Sequence, residues 1–166
     1  MTMTIVEFLQ TIDGIGQIWA QDGQFLGLLS SNPNDPNSIV NPTTYGNSHS
    51  STSILNSYSS YGGAYGVYSP YNHYCLKPPV ILYQSQALLV ITRNTYAQTN
   101  GLLVVDPDII LEIYSQLSQK YASPEVWAMQ LPNSLVAMQL QNLHSSRMTN
   151  SQAVNTCMQI AANMFR

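Results

Sequence analysis

The sequence predicts an α+β fold in which two β-hairpins flank a Tyr/Gly/Asn-rich, short-period repeat tract and a helical C-terminal third follows. Three observations carry that expectation. Apolar runs of strand length, separated by turn formers, lie on either side of residues 36–75. That central stretch is crowded with Tyr, Gly, Ser and Asn and contains no Asp, Glu, Lys or Arg. Beyond Asp106, helix-start signals alternate with apolar residues at helical spacing.

In chain order, Thr4 and Glu7 have the spacing of a capping box, and Ile5, Phe8, Leu9 and Ile12 form one apolar stripe before Gly14 and Gly16. This predicts a short N-terminal helix within residues 1–16. Hairpins and tract then occupy 17–105, beginning with strands at Gln17 to Gln21 and Gln24 to Leu29 joined by Asp22-Gly23 as a type I′ turn. The prolines of Asn32-Pro33-Asn34-Asp35-Pro36 remove donors and restrict their neighbours, so strand pairing stops there.

Inside the tract a phrase recurs. Ser38, Ile39, Asn41, Tyr45 and Gly46 are followed by Ser53, Ile54, Asn56, Tyr61 and Gly62, with the Ser, Ile and Asn displaced by fifteen; Asn72 and Tyr74 then echo Asn56 and Tyr58 after sixteen. Such a period predicts successive turn units, with Ile39 and Ile54 buried and Asn41, Asn56 and Asn72 anchoring turns through their side chains. After Pro78-Pro79 a second hairpin is expected, Val80 to Tyr83 against Ala87 to Thr92 around a Gln84-Ser85-Gln86 loop, and then a strand at Leu102 to Val105 led by Asn100-Gly101. The helical segment spans 106–166. Asp106 and Pro107 suit a helix start ahead of the stripe Ile110, Ile113, Tyr114, Leu117 and Tyr121, and further helices are expected from Ser123, from Asn133 or Ser134, and from Thr149. A chain of 166 residues reads as one domain, 1–166.

The segment from Asp22 to about Asn94 resembles an uncharacterised bacterial, largely cyanobacterial, family built on Ser-Ile-x-Asn-Pro-Tyr-Gly repeats. The resemblance rests on Gly23, Phe25, Leu26, Gly27, Leu29, Ser30 and Asn32, then Ser38-Ile39 with Asn41-Pro42, Ser53-Ile54 with Asn56, Tyr68-Ser69-Pro70, and Pro78-Pro79. Thr43 stands where the pattern has Tyr, and Ser57 where it has Pro. The resemblance implies no known activity, ligand or catalytic residue.

Charged residues are 8% of the chain and the formal net charge is −3, with five Lys and Arg, which is no basis for tracking a phosphate backbone; no nucleic-acid partner is expected. The first ten residues carry no basic n-region, no apolar run approaches the roughly 20 residues that span a bilayer, and two cysteines form no disulfide framework, so the expected compartment is the cytoplasm. No metal or organic cofactor is expected, because neither ligand spacing nor a phosphate loop is present.

The chemical candidates each have a plain structural reading. His73 and Cys75, with His49, His144 and Cys157 elsewhere, permit a thiol-dependent hydrolase, yet no nucleophile signature surrounds Cys75. Asp106, Asp108 and Glu112 are better explained by a helix N-terminus than by acid-base chemistry. Gly62-Gly63-Ala64-Tyr65-Gly66 lacks the Lys-Ser/Thr of a phosphate cradle. Tyr58, Tyr61, Tyr65, Tyr68 and Tyr71 have three readings, a binding platform for a glycan, small ligand or peptide, the tract's own packing, or a disordered segment rich in turn formers; the repetition of whole phrases favours order.

The leading expectation is a non-enzymatic structural or protein-interaction subunit of a homo- or hetero-oligomer. Between Glu125 and Arg166 the only charge is Arg147, so no helix there has a charged outer face, and Val154, Cys157, Met158, Ala161, Met164 and Phe165 are the expected assembly residues; the alternative is that these helices cover the sheet within one chain.

Overall fold

The computed structural model describes residues 2–122. The helices expected beyond Ala122, with the assembly residues Val154, Cys157, Met158, Ala161, Met164 and Phe165 and the side chains of His144 and Cys157, lie outside the described residues.

The architecture is α+β, one five-stranded sheet with two helices. Helix α1 (Ile5–Thr11) starts on the Thr4/Glu7 capping box, each side chain bonding the other's backbone N–H, and it ends ahead of Gly14 at φ +79°. The strands are β1 (Gln17–Trp19), β2 (Phe25–Leu28), β3 (Val80–Tyr83), β4 (Gln86–Ile91) and β5 (Leu103–Val105), and α2 (Pro107–Ala122) closes the described chain. Their order across the sheet is β2-β1-β3-β4-β5, antiparallel except for the parallel pair β4/β5.

The join between β1 and β3 makes one sheet out of segments separated by the whole tract, with Ile18 opposite Ile81. Strand β4 shows why that join holds. Its residues Leu88, Leu89, Val90 and Ile91 are all buried, so the strand is covered on both faces. Phe8, Leu9 and Ile12 of the N-terminal segment and Ile110, Ile113, Tyr114 and Leu117 of α2 belong to the same core as Ile18, Leu26, Ile81 and Leu89. Across 105 residues of chain, the Tyr114 hydroxyl donates to the Leu9 carbonyl at 2.5 Å, which satisfies a buried phenol and pins α2 to α1.

Two turns differ from the sequence expectation. Asp22-Gly23 is not a type I′ turn: only Gly23 has a positive φ (+88°), Gly23 N–H bonds the Ala20 carbonyl, and β1 ends at Trp19. Asp22 instead accepts from the N–H of Gln24 at 3.1 Å, a local side-chain bond that competes with the left-handed conformation at Asp22 itself. The connection from β3 to β4 has two residues rather than three. Tyr83 pairs with Gln86, and Gln84 (φ +47°) and Ser85 (φ +65°) both sit in the left-handed region. That is the geometry whose twist suits antiparallel neighbours, here without the Asn-Gly that usually signals it.

Because a left-handed residue other than Gly costs about 1–2 kcal/mol, partly offset by the larger unfolded-state freedom of Gly, Gln84→Asn combined with Ser85→Gly is expected to raise stability by roughly 1 kcal/mol. Urea unfolding checks this; a lowered midpoint would contradict the turn geometry.

Candidate functional site

Residues 30–78 contain no helix or strand, so their backbone groups must find partners in another way. A chain of turns supplies them. The N–H groups of Asp35, Ser38, Asn41, Thr44, Asn47, Ser50, Ser53, Asn56 and Ser59 each donate to the carbonyl three residues back, at 3.1–3.3 Å. Gly63 then bonds Ser59 four residues back, and the three-residue step resumes through Gly66, Ser69, Asn72 and Cys75. The single extra residue between Ser59 and Gly63 accounts for the change from a fifteen- to a sixteen-residue spacing. At that point a Cβ on Gly62 would lie 2.5 Å from the Ile54 carbonyl oxygen, so only Gly fits.

In most of these three-residue units the residue that opens the unit also clamps it. Side-chain oxygens of Asn32, Asp35, Ser38, Asn41, Asn47, Ser53, Asn56, Ser59, Ser69 and Asn72 accept from the N–H two residues on, at 2.8–3.2 Å. This is the local bonding for which Asn, Asp and Ser are favoured in turns. Asn41, Asn56 and Asn72 also use their amide N–H, donating to the carbonyls of Asp35, Ser50 and Gly66 at 2.9–3.0 Å, six residues back in every case. Middle positions are buried at Ile39, Ile54 and Pro70. From Asn56 onward the third position is Tyr every time: Tyr58, Tyr61, Tyr65, Tyr68, Tyr71 and Tyr74.

These rings do not form one platform. Tyr61 and Tyr68 stack at 6.0 Å between centroids and pack against the core, and the Tyr61 hydroxyl donates to Asp22 at 2.8 Å. That hydrogen bond, followed by burial, pushes its pKa up. Tyr71 lies under the Arg93 guanidinium, 4.9 Å from ring centroid to Cζ, and Arg93 in turn pairs with Asp106 (3.5 Å) and Asp108. Burial first, and then the charge of Asp108, hold the Tyr71 proton well above the usual tyrosine range. Tyr45 packs edge-on to Phe25, which meets Trp19 in the same way.

Tyr58 (96% exposed) and Tyr74 (82%) are different, and sequence reasoning missed their third partner, Tyr96 (88%). Each ends an Asn-x-Tyr unit. Asn94, like Asn56 and Asn72, accepts from the Tyr N–H two residues on (2.9 Å), offers its own carbonyl to the N–H three residues on, and donates its amide to a backbone carbonyl, here that of Cys75 at 2.9 Å. Three bonds therefore fix each backbone while the ring stays bare. The spacing Asn94 to Tyr96 was the available signal, hidden because it lies beyond β4.

The other candidates have structural work. Asp106 accepts from the Asp108 N–H at 2.8 Å at the start of α2. Cys75 is buried, its thiol donates to the Val67 carbonyl at 3.1 Å, and burial pushes its pKa up, away from the thiolate a nucleophile needs. His49 and His73 are exposed. Among the described residues no three His, Cys, Asp or Glu side chains gather as a metal site, and no helix is long and apolar enough to cross a membrane. Comparison with family models, curated proteins and solved structures found no match.

Asn56→Ala removes an acceptor and two donors and is expected to cost about 1–3 kcal/mol in chemical denaturation; Asn56→Asp should not restore it, since a carboxylate can accept from Tyr58 but cannot donate to Ser50. A loss under about 0.5 kcal/mol would remove the clamp from the account.

The folded protein keeps the Tyr71 proton to a higher pH than the unfolded chain does. Its contribution is therefore whole below about pH 10 and falls above it, by up to about 1.4 kcal/mol per pH unit, as only the unfolded chain releases the proton. Tyr71→Phe should flatten that part of the stability-pH curve, and an unchanged slope would show that the ring is titrating normally.

Proposed function

We propose that this protein is a non-enzymatic structural or protein-interaction subunit of a homo- or hetero-oligomeric assembly, in which the turn tract is a stiff scaffold of repeated units that presents tyrosines to a partner. The observation that carries the reading is the contrast within each Asn-x-Tyr unit. The backbone is held by three hydrogen bonds and the ring is left almost wholly in water. Tyr on a rigid support offers large amphipathic contact area with little side-chain entropy to lose. Nothing in the packing of the described residues accounts for rings that exposed.

The geometry weighs against the alternatives. A glycan site needs free hydrogen-bonding side chains beside its aromatic rings, whereas Asn41, Asn56, Asn72 and Asn94 commit both ends of their amides to the protein's own backbone. The buried, high-pKa Cys75 gives no support to a thiol-dependent hydrolase. The near-neutral composition of residues 125–166 supports assembly from the other end of the chain, through Val154, Cys157, Met158, Ala161, Met164 and Phe165.

Light scattering and stoichiometric co-purification test this. The full chain is expected in a multi-chain species, and both a chain ending at Arg147 and a Tyr58→Asn/Tyr65→Asn/Tyr74→Asn/Tyr96→Asn variant should shift towards smaller or less soluble species. A full chain that is monomeric at high concentration, and retains no subunit that these forms lose, would overturn the reading.

A further inference from the structure

The sheet has a second face, and strand register and ring contacts string its side chains into one row. Trp19 pairs with Val80, Val80 with Val90 and Val90 with Val104, so four strands each place one side chain on the same side. Trp19 also pairs with Phe25 and meets its ring edge-on at 5.2 Å, and Phe25 meets Tyr45 at the same distance. The row carries no charged residue. Ile18, Ile81 and Leu89, its neighbours along three of the strands, face the opposite way and are buried in the cluster that also holds α1 and α2. None of the six row residues belongs to that cluster. Val90 is buried in mid-row, but Tyr45, Phe25, Trp19 and Val80 are only half-buried, and Val104 is 48% exposed. Among the described residues, therefore, both helices cover one face of the sheet and no helix covers the other.

Position, length and composition point to the chain that follows α2. Lys120, near the end of that helix, pairs with Asp13 at 3.7 Å, and Asp13 accepts from the N–H and the hydroxyl of Ser31 at 2.7 and 2.6 Å. Backbone bonds of 2.7 Å tie Gly14 and Gly16 to Leu29, so α2 ends beside the start of β1 and the end of β2, at the β2 side of the sheet. Residues 126–146 contain no Asp, Glu, Lys or Arg, and the helix expected from Asn133 or Ser134 has Val136, Leu140 and Leu143 on one stripe. A helix of about ten residues is about 15 Å long, which matches the roughly 14 Å across four strands. The residues between Ala122 and that helix reach further than this when extended. A segment tethered there meets the face at an effective concentration on the order of millimolar, whereas a second copy competes from solution.

We propose that residues 126–143 lie across the row of Trp19, Val80, Val90 and Val104 in their own chain, making the sheet the middle of three layers. Residues 148–166, with the assembly positions from Val154 to Phe165, stay available for the assembly proposed above.

Photo-crosslinking in the full chain tests this. Val104→p-benzoylphenylalanine alters an exposed position; isotopically light and heavy chains carrying it are mixed before irradiation. The expected adducts join position 104 to peptides within 126–143, with both ends light or both ends heavy. The same probe in Tyr58→p-benzoylphenylalanine should reach those peptides at a tenth of that yield or less. With Trp127→Phe, Trp19 is the sole indole, and adding Leu140→Asp should at least double its quenching by acrylamide while the circular dichroism of residues 2–122 persists. Adducts of position 104 that fall elsewhere or fail to form, an equal yield from position 58, or quenching indifferent to Leu140→Asp overturns the proposal. Adducts joining a light to a heavy chain overturn it too, and assign the face to a second copy.

Discussion

The hydrogen bond from a backbone N–H to the side-chain oxygen two residues earlier is the interaction on which the rest of this structure depends. A stretch of nearly fifty residues with neither helix nor strand faces a demand that ordinary loops avoid by staying short and wet. Here the demand is met locally. In most of the three-residue units one N–H goes to the carbonyl three back and another to the Asn, Asp or Ser that opens the unit. The unusual composition follows from this. Side chains that accept a short-range hydrogen bond take the polar positions that Lys and Glu occupy elsewhere, because long charged side chains cannot close so small a ring.

A self-satisfied tract still has to be fastened to the sheet. Its first units do so along β2, the strand at one end of the sheet order: Leu28 N–H bonds Asn37, Ile39 N–H bonds Leu28, and the Ser38 hydroxyl donates to the Ser30 carbonyl at 2.6 Å. These bonds cover part of an edge that would otherwise offer itself to other chains. Gly27, at φ +130°, allows the approach, since a Cβ there would meet Ile39 at 2.7 Å. The far end is held by Arg93, Asn94 and Gln21, which bond Pro70, Cys75 and Pro78. Between these ends, Ile39 and Ile54 enter the same core as the sheet and helices, so the tract contributes to the core as well as wrapping it.

The parts of the fold legible in sequence were those written in short-range signals. The Thr4/Glu7 capping box, the apolar stripe of α2 and its start at Asp106-Pro107 depend on residues three or four apart. The strand order was not legible. The pairing of β1 with β3 and the parallel docking of β5 on β4 are set by which apolar faces can be buried together, and those faces are dozens of residues apart. The left-handed pair Gln84-Ser85 escaped notice because tertiary pairing of β3 with β4 imposes a conformation that neither residue favours alone. In the candidate site, the fifteen-residue phrase drew attention away from the shorter unit beneath it. The repeating element is a three-residue turn, and the longer phrase marks only those turns whose middle residue faces the core.

That division of labour gives the site its logic. The first position is Asn, Asp or Ser wherever it clamps the turn, and the buried middle positions are Ile39, Ile54 and Pro70. In the clamped units the third position contributes its N–H, and apart from the Thr43 hydroxyl, which bonds Asn41, its side chain takes no part, so these turns do not select one residue type there. It is Asn at 34 and 37, Thr at 43, His at 49 and Leu at 55, and then Tyr without exception from 58 to 74. Since the turn does not ask for Tyr, the reason for those rings lies in what they touch. For Tyr61, Tyr68 and Tyr71 the answer is inside the molecule: Asp22, the core and Arg93. For Tyr58, Tyr65 and Tyr74, joined by Tyr96 from a unit outside the tract, the same physical argument points outward.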